Sequence, residues 1–215
     1  MIHSGVLEHF VVFEGIDGSG TTTQLNRIVE FCTHNNIKAF STREPTSSSI
    51  GNVIDLFLKN KISLAPQTVV RLFATDRCEH IYGSSGVIEM LEEGLVISDR
   101  YLFSSLAYQG ATDEYGLALT ENLAFPLPQV LFFFELPVEV AMQRIESRSK
   151  VKEFYEKKEF LKKVQKNYLT IMEDYQKNYP KMKIIRVDAK LSEDEVFNKI
   201  KDAMEKLGLF TSKRY

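Results

Sequence analysis

The sequence has few cysteines, almost no excess of either charge and no long apolar run. Cys32 and Cys78 are its only cysteines, too few for a disulfide framework, and neither belongs to a CxxC pair, so a reducing cytoplasm is the predicted location. The 27 Lys and Arg residues nearly balance the 29 Asp and Glu residues, which removes the general electrostatic argument for binding nucleic acid or an anionic membrane. We therefore expect no nucleic-acid or membrane partner.

Length and composition indicate one globular domain. A chain of 215 residues, of which 44% are hydrophobic and 26% charged, is able to bury a core. No window approaches the roughly 18 uninterrupted apolar residues of a membrane span, and residues 1–9 lack the basic and apolar stretches of an export signal. Since no internal repeat or Pro/Gly/Ser-rich linker divides the chain, we predict a single domain over residues 1–215.

Five short apolar runs alternate with segments of helical period. The runs, each a candidate strand, lie at residues 10–13, 37–41, 95–98, 130–135 and 183–187. Helical period marks residues 24–34, 69–93 and 136–148, and Ser192 opens a further helix that Gly208 would end. This alternation is typical of an α/β fold with a mostly parallel sheet and helices on both faces.

A glycine-rich loop follows the first apolar run. It consists of Gly15, Ile16, Asp17, Gly18, Ser19, Gly20, Thr21, Thr22 and Thr23. A strand before it and a helix after it form the context of a Walker A motif, in which backbone N–H groups and the helix N-terminus bind phosphate. Thr22 occupies the position that ligates magnesium, but Thr21 stands where the motif has its lysine. The alternative interpretation is a tight turn without a ligand.

An acid and a base follow the third apolar run side by side. Asp99 and Arg100 would lie at the carboxyl edge of the sheet, where open α/β sheets bind their ligands. Asp99 could hold a magnesium-bound water, and Arg100 could neutralise a phosphoryl group during its transfer. The alternative is an exposed Asp–Arg pair that contributes little.

Four segments together resemble the thymidylate kinase family in their order and spacing. They are residues 13–20, residues 42–45, residues 72–77 and residues 98–110. The resemblance extends from about residue 10 to about residue 205 of the sequence. It implies a P-loop NTPase fold with a five-stranded parallel sheet, a homodimer, and transfer of the γ-phosphoryl group of ATP to dTMP with the help of magnesium, giving dTDP and ADP for dTTP synthesis.

The resemblance also implies roles for residues that would bind dTMP. Arg43 and Arg100 would hold its phosphate, because two guanidinium groups supply forked, charge-assisted hydrogen bonds to a dianion. Phe73 would stack on the thymine ring and Arg77 would donate to a thymine carbonyl, although a phenylalanine in this helical pattern also fits a core position. Asp17 would lie on the deoxyribose side of the phosphate loop.

Residues 104–109 would complete the acceptor site implied by the resemblance. Tyr108 would lie against C2′ of the sugar and leave no space for a ribose hydroxyl, and Gln109 would support the base pocket. Ser104 and Ser105 also match site positions of the family. Small residues at those two positions equally permit close packing, so both interpretations stand.

A basic segment after the fourth apolar run matches the lid of the family, at about residues 144–160. Such a lid closes over ATP, excludes water and brings cations to the phosphoryl group in transfer. Arg148 is the candidate catalytic cation of the lid, with Lys150 and Lys152 as alternatives, and Arg144 would contact ATP. A charge run of this kind is otherwise the solvated face of a helix.

Three functions remain open from the sequence. A thymidylate kinase that uses ATP and magnesium is the leading prediction. A related kinase that acts on dUMP or a deoxynucleoside is the first alternative, and a nucleotide-binding protein that has lost catalysis together with the Walker lysine is the second. Retention of Thr22, Arg43, Asp99 and Arg100 argues against the second, because a noncatalytic protein has no physical need for a full acceptor-phosphate clamp.

Overall fold

A computed structural model describes residue 3, residues 5–148 and residues 154–211, except for the side chains of residues 148 and 154–157. The strands in this part are β1 (Val6–Gly15), β2 (Ala39–Arg43), β3 (Leu95–Asp99), β4 (Leu127–Glu135) and β5 (Lys183–Asp188). They form one sheet in the order β2-β3-β1-β4-β5, and every neighbouring pair is parallel. The predicted five-stranded parallel sheet is therefore confirmed.

Helices occupy most of the connections between the strands in the described part. They are α1 (Thr21–His34), α2 (Ser49–Leu58), α3 (Pro66–Tyr82), α4 (Val87–Glu93), α5 (Leu102–Gly110), α6 (Tyr115–Asn122), α7 (Val138–Arg148), α8 (Phe154–Asn178) and α9 (Glu193–Lys206). No helix that the structure describes has the length and apolar character needed to cross a membrane.

The central strand β1 lies in the core. Its residues 10–13 are all fully buried, and since successive side chains of a strand point to opposite faces, both faces of the sheet are covered. The register pairs Phe13 with Asp99 of β3 and with Phe132 of β4. The loops that follow β1, β2 and β3 consequently meet at one edge of the sheet, which is where the candidate site lies.

The helical stretch predicted over residues 69–93 is two helices. The backbone N–H of Gly83 still bonds the carbonyl of Glu79, but Ser85 has a φ of 59° and the chain restarts as α4 after Gly86. A Cβ at Gly86 would lie 2.7 Å from the carbonyl oxygen of Gly83 and 2.9 Å from that of His80. Glycine therefore permits a turn that the continuous apolar pattern does not reveal.

The first strand is longer than its apolar run, whereas the last helix fits its predicted signals. β1 begins at Val6, and its register with β4 changes between Leu7 and Val11. Residues 6–9 are half-buried or exposed, unlike the fully buried residues that follow them, which is why the apolar run did not include them. Ser192 caps α9 in a capping box with Glu195. Leu207 is the C-cap of that helix and Gly208 follows with a φ of 69°, as predicted for a glycine at a helix end.

Candidate active site

The phosphate loop joins β1 to α1 in a shape that needs glycine. Gly18 and Gly20 have φ angles of 84° and 93°, which L side chains rarely adopt. A Cβ at Gly15 would lie 2.6 Å from Ser19 Oγ, and one at Gly18 would lie 2.9 Å from the carbonyl oxygen of Ala141. Because Gly20 is the N-cap of α1 and supplies no side-chain acceptor, the first N–H groups of that helix are available to an anion.

The two side chains predicted to hold magnesium lie together at the start of α1 and the end of β3. The Thr22 hydroxyl donates a hydrogen bond to Asp99 Oδ2. Asp99 Oδ1 is buried and has no hydrogen-bond partner among the described residues, an arrangement that leaves desolvation of a carboxylate uncompensated. Thr21, at the lysine position of the motif, is itself only 7% exposed. The loop thus presents hydroxyls and backbone donors but no cation of its own.

Several contacts hold the side chain of Arg100 in place. Its guanidinium donates to Asp17 Oδ1 at 2.7 Å, to Ser104 Oγ at 3.1 Å and to the carbonyl oxygen of Gly15 at 3.3 Å. The Arg100 Cζ lies 5.2 Å from the centre of the Tyr108 ring. Sequence reasoning therefore grouped residues that the structure does bring together, and the guanidinium is oriented before any ligand binds.

Glu14 is a buried acid directly behind Arg100, and the sequence analysis assigned it no role. Its carboxylate accepts hydrogen bonds from the N–H of Tyr101, the N–H and hydroxyl of Ser104 and the hydroxyl of Tyr168. Burial raises the pKa of Glu14 to about 7, although the charge of Arg100 and these hydrogen bonds oppose the rise. An acid at the end of an apolar strand is the sequence signal that could have drawn attention to it.

The acceptor cleft has a volume of about 560 Å³, a size suited to a small ligand. Its walls include most of the residues predicted to bind an acceptor nucleotide, namely Asp17, Phe73, Arg77, Arg100, Ser104, Tyr108 and Gln109. Phe73 is half-buried and lies outside the buried core. The cleft is thus lined by aromatic rings and by two arginine side chains.

Arg77 lies deep in this cleft within a polar network. It is 1% exposed, and its terminal nitrogens donate to Glu44 Oε2, Asn122 Oδ1 and Ser105 Oγ. The Nε of Arg77 is buried without a partner among the described residues. Glu44 also contacts His80 Nδ1 at 2.9 Å. These contacts fix the plane of the guanidinium, and Glu44, His80 and Asn122 are supporting residues that the sequence analysis did not identify.

Gln109 and Ser105 line or support the same cleft in different ways. Gln109 is 7% exposed, and its side-chain carbonyl oxygen has no hydrogen-bond partner in the described structure. Ser105 is buried and accepts from Arg77, so it contacts a site residue rather than open space. Ser104 instead borders the cleft and contacts Arg100.

Arg43 does not line the cleft. It is exposed at the end of β2, in register with Asp99 of β3, and has no ion-pair partner within the described residues. The structure therefore places it at the correct edge of the sheet but leaves its guanidinium outside the cleft that contains Arg100.

A second, smaller cleft of about 230 Å³ opens on the other side of the phosphate loop. Arg144 of α7 borders it and donates to the carbonyl oxygen of Ala189 at 2.9 Å and to that of Gly18 at 3.4 Å. Ser19 and Thr23 also line it. The predicted lid cation Arg148 is the last residue of α7, and its side chain lies outside the described structure, as do Lys150 and Lys152.

Comparisons with known proteins agree with this geometry. A family model described as thymidylate kinase matches residues 13–200. A protein of Treponema pallidum that is named as a thymidylate kinase is 41% identical over 196 residues, which cover 91% of this chain and 94% of that protein. A thymidylate kinase of Carboxydothermus hydrogenoformans is 32% identical over 206 residues, 92% of this chain and 97% of the relative. A probable thymidylate kinase of Methanocaldococcus jannaschii is 38% identical over 193 residues, covering 89% and 93% of the two chains.

Proposed function

The chain belongs to the thymidylate kinase family, and from that premise we propose how its two clefts share the reaction. The enzyme is a nucleoside monophosphate kinase that transfers the γ-phosphoryl group of ATP to dTMP and gives dTDP and ADP. An oxygen of the dTMP phosphate forms a bond to the γ-phosphorus while the bond to ADP breaks. Such a transfer depends on positioning and charge stabilisation more than on covalent help from the protein.

dTMP occupies the 560 Å³ cleft in this proposal. Thymine stacks on Phe73 with Arg77 and Gln109 at its polar edge, and the sugar lies between Asp17 and Tyr108. The phosphate binds Arg100, and the exposed side chain of Arg43 at the end of β2 turns toward it as a second cation. The unpartnered Arg77 Nε and Gln109 Oε1 support this orientation, because a base with carbonyl and N–H groups can satisfy both kinds of atom.

ATP occupies the other side of the phosphate loop. Backbone N–H groups of residues 15–23 and the N-terminus of α1 bind its phosphates, and Arg144 at the 230 Å³ cleft lies beside the nucleoside. Ser19 Oγ is buried without a partner in the described part of the chain, as expected of a hydroxyl that awaits a phosphate oxygen.

Thr22 and Asp99 fit the magnesium ion that would accompany ATP. Magnesium prefers hard oxygen ligands and keeps several waters, so it needs few protein atoms. The buried, unpartnered Asp99 Oδ1 next to the Thr22 hydroxyl matches this requirement. No group of three His, Cys, Asp or Glu side chains within the described residues forms a complete metal cage. When bound, the ion would neutralise charge on the phosphates.

The lid supplies the remaining charge. Thr21 contributes no cation, so Arg148, or Lys150 or Lys152 in its place, approaches the γ-phosphoryl group when residues 144–160 close. We regard residues 1–215 as a single domain that carries this lid, because the buried apolar residues of the described strands and helices form one core.

A second copy of the chain and a cytoplasmic location complete the proposal. Val53 and Leu56 of α2 are 37% and 44% exposed, and apolar residues grouped on one helix are a common contact between subunits. Light scattering of the Leu56→Glu variant tests this, since a homodimer through α2 would dissociate. Cys32 and Cys78 are free thiols, consistent with a reducing compartment.

The juxtaposition of Arg100 with the phosphate loop and Asp99 carries the proposed function. The test is direct detection of dTDP and ADP from ATP and dTMP with magnesium, compared with dUMP, thymidine and no acceptor. Loss of product on chelation of magnesium supports the metal assignment. Binding of ATP and dTMP without turnover would favour a protein that has lost catalysis, and faster use of dUMP or thymidine would favour the related kinases.

A further inference from the structure

Glu14 is a fully buried carboxylate that the proposed reaction does not use. It lies next to last in β1, and the polar groups around it come from two other elements. The segment that starts α5 gives the N–H of Tyr101 at 2.8 Å and the N–H of Ser104 at 3.1 Å, and α8 gives the hydroxyl of Tyr168 at 2.7 Å. The positive charge of Arg100 acts on this carboxylate.

The first consequence concerns the start of α5. Tyr101, the N-cap of that helix, makes no side-chain cap bond, so the N–H groups of the first turn need another acceptor. Glu14 Oε1 accepts from the N–H groups of Tyr101 and Ser104. A carboxylate at this place also interacts favourably with the positive end of the helix. Glu14 therefore caps α5 from a different strand.

The second consequence concerns the direction of one hydroxyl. Ser104 Oγ lies 2.7 Å from Glu14 Oε2 and 3.1 Å from the guanidinium of Arg100. An ionised carboxylate only accepts and a guanidinium only donates, so the single Ser104 proton points away from Arg100 and reaches Glu14 either directly or through the Tyr168 hydroxyl, which lies 2.9 Å from Ser104 Oγ and donates to Glu14. Its lone pairs then face Arg100. The carboxylate thus makes the serine an acceptor for the arginine.

We propose that Glu14 is a positioning residue for the acceptor phosphate, because it caps α5 and orients Ser104 so that Arg100 presents its guanidinium to that phosphate. This inference rests on the proposed function, in which Arg100 binds the phosphate of dTMP. Glu14 itself touches no substrate. Its contribution is consequently specific to ligands that carry a phosphate.

Binding of dTMP and of thymidine separates this role from a merely structural one. The Glu14→Gln variant keeps the shape of the side chain and one acceptor oxygen but places an amide N–H₂ group next to Ser104. Because that group donates, the hydroxyl of Ser104 can no longer donate to this side chain as it does to Glu14 Oε2. We expect the affinity for dTMP to fall about tenfold, the size of a weakened hydrogen bond to a charged group, with thymidine affinity unchanged. Equal losses for both ligands, or no loss for either, would overturn the proposal.

Ser104→Ala provides a second route if the Gln variant does not fold. It removes the hydroxyl link while the backbone N–H groups still cap against Glu14. The ratio of dTMP to thymidine affinity should fall as it does for Glu14→Gln, and the double variant should show no further loss, since both changes break the same link. An unchanged ratio in Ser104→Ala refutes the role of the link.

Arg100→Ala distinguishes failure of this inference from failure of the proposed function. If Arg100→Ala leaves the ratio of dTMP to thymidine affinity at its natural value, the phosphate does not bind Arg100 and the proposed function is wrong at this point. If that ratio collapses for Arg100→Ala and stays intact for Glu14→Gln and Ser104→Ala, only the positioning role of Glu14 is wrong.

Discussion

The acceptor cleft and the phosphate loop differ in how they supply positive charge to their ligands. In the acceptor cleft the cations are side chains that other residues already hold: Arg77 by Glu44 and Arg100 by Asp17. In the phosphate loop the donors are backbone N–H groups, and the position of the expected cation is Thr21. One half of the site is thus organised before its ligand arrives, whereas in the proposed reaction the other half receives its positive charge from the lid at residues 144–160.

The largest effect should come from removing the charge that the lid supplies. We expect Arg148→Ala to lower kcat by about 10³-fold, the lower range for an arginine that stabilises phosphoryl transfer. In the Thr21→Lys background the same substitution should cost much less, because the restored lysine reaches the β- and γ-phosphates. Steady-state kinetics of the two single variants and the double variant measure this coupling.

Lys190→Ala is the matched control, since that lysine lies outside the lid and pairs with Asp188 at 3.9 Å. It should leave kcat close to the natural value in both backgrounds. Additive effects of Thr21→Lys and Arg148→Ala would show that the two positions act independently. They would contradict the proposal that Arg148 supplies the positive charge that the phosphate loop lacks at Thr21.

Stability should depend on pH through Glu14 on the acceptor side. Its pKa is raised from 4.5 to about 7 in the folded protein, so the folded state binds this proton more tightly than the unfolded state does. The resulting stability is fully present below about pH 4.5 and is lost as the pH rises through 7. The free energy of unfolding should therefore fall by about 3 kcal/mol from this group.

Urea unfolding of the natural protein and of Glu14→Gln between pH 5 and pH 8 tests this. The difference between the two should change with pH in the stated direction, because glutamine does not titrate in that range. Parallel stability curves would show that the carboxyl keeps an ordinary pKa, and that Tyr168, Tyr101 and Arg100, the groups that face it, stabilise its ionised form as much as burial opposes it.

The sequence predicted the sheet better than the short helices. Strands β1, β3 and β4 contain predicted apolar runs because a strand buried on both faces needs consecutive apolar residues, and β5 contains its predicted run although it lies at an edge of the sheet. The run at residues 37–41 is displaced by two from β2, an edge strand with a weaker burial pattern. The helices α2 and α6 were not predicted, since ten and eight residues give a periodic signal too short to separate from a loop.

The site was predictable where its residues adjoin strands. The phosphate loop and the Asp99–Arg100 pair follow strand ends directly, and neighbours along the chain are visible in a sequence. The supporting contacts are not: Arg77 meets Asn122 across 45 positions and Glu14 meets Tyr168 across 154. No local period encodes such pairs. The residues that support the side chains of the acceptor cleft are therefore visible only in the packing of α3, α5, α6 and α8.

A smaller effect is expected from the aromatic wall of the acceptor cleft. Phe73→Ala should lower kcat/KM for dTMP. The decrease should correspond to a loss of about 1–3 kcal/mol of binding free energy, the usual value of a base–aromatic stack. Phe73→Tyr keeps the ring and should retain most of the activity. Because Phe73 is half-buried, the melting temperature should change little, and a large drop in melting temperature with normal kinetics would identify it as a structural residue.

The smallest effect concerns the choice of sugar at Tyr108. The phenol oxygen accepts from the N–H of Asp17 at 3.2 Å, and the ring lies beneath Arg100, so the tyrosine is held between the phosphate loop and the guanidinium. If its bulk excludes a 2′-hydroxyl, Tyr108→Ala should relax the preference for dTMP over its ribose counterpart by about tenfold. Tyr108→Phe loses only the hydroxyl and should keep the preference, although it frees the N–H of Asp17. The ratio of kcat/KM for the two acceptors in each variant decides between them: a relaxed preference in Tyr108→Phe would assign the selection to the hydrogen bond, and an unchanged preference in both variants would move the selection to another wall of the cleft.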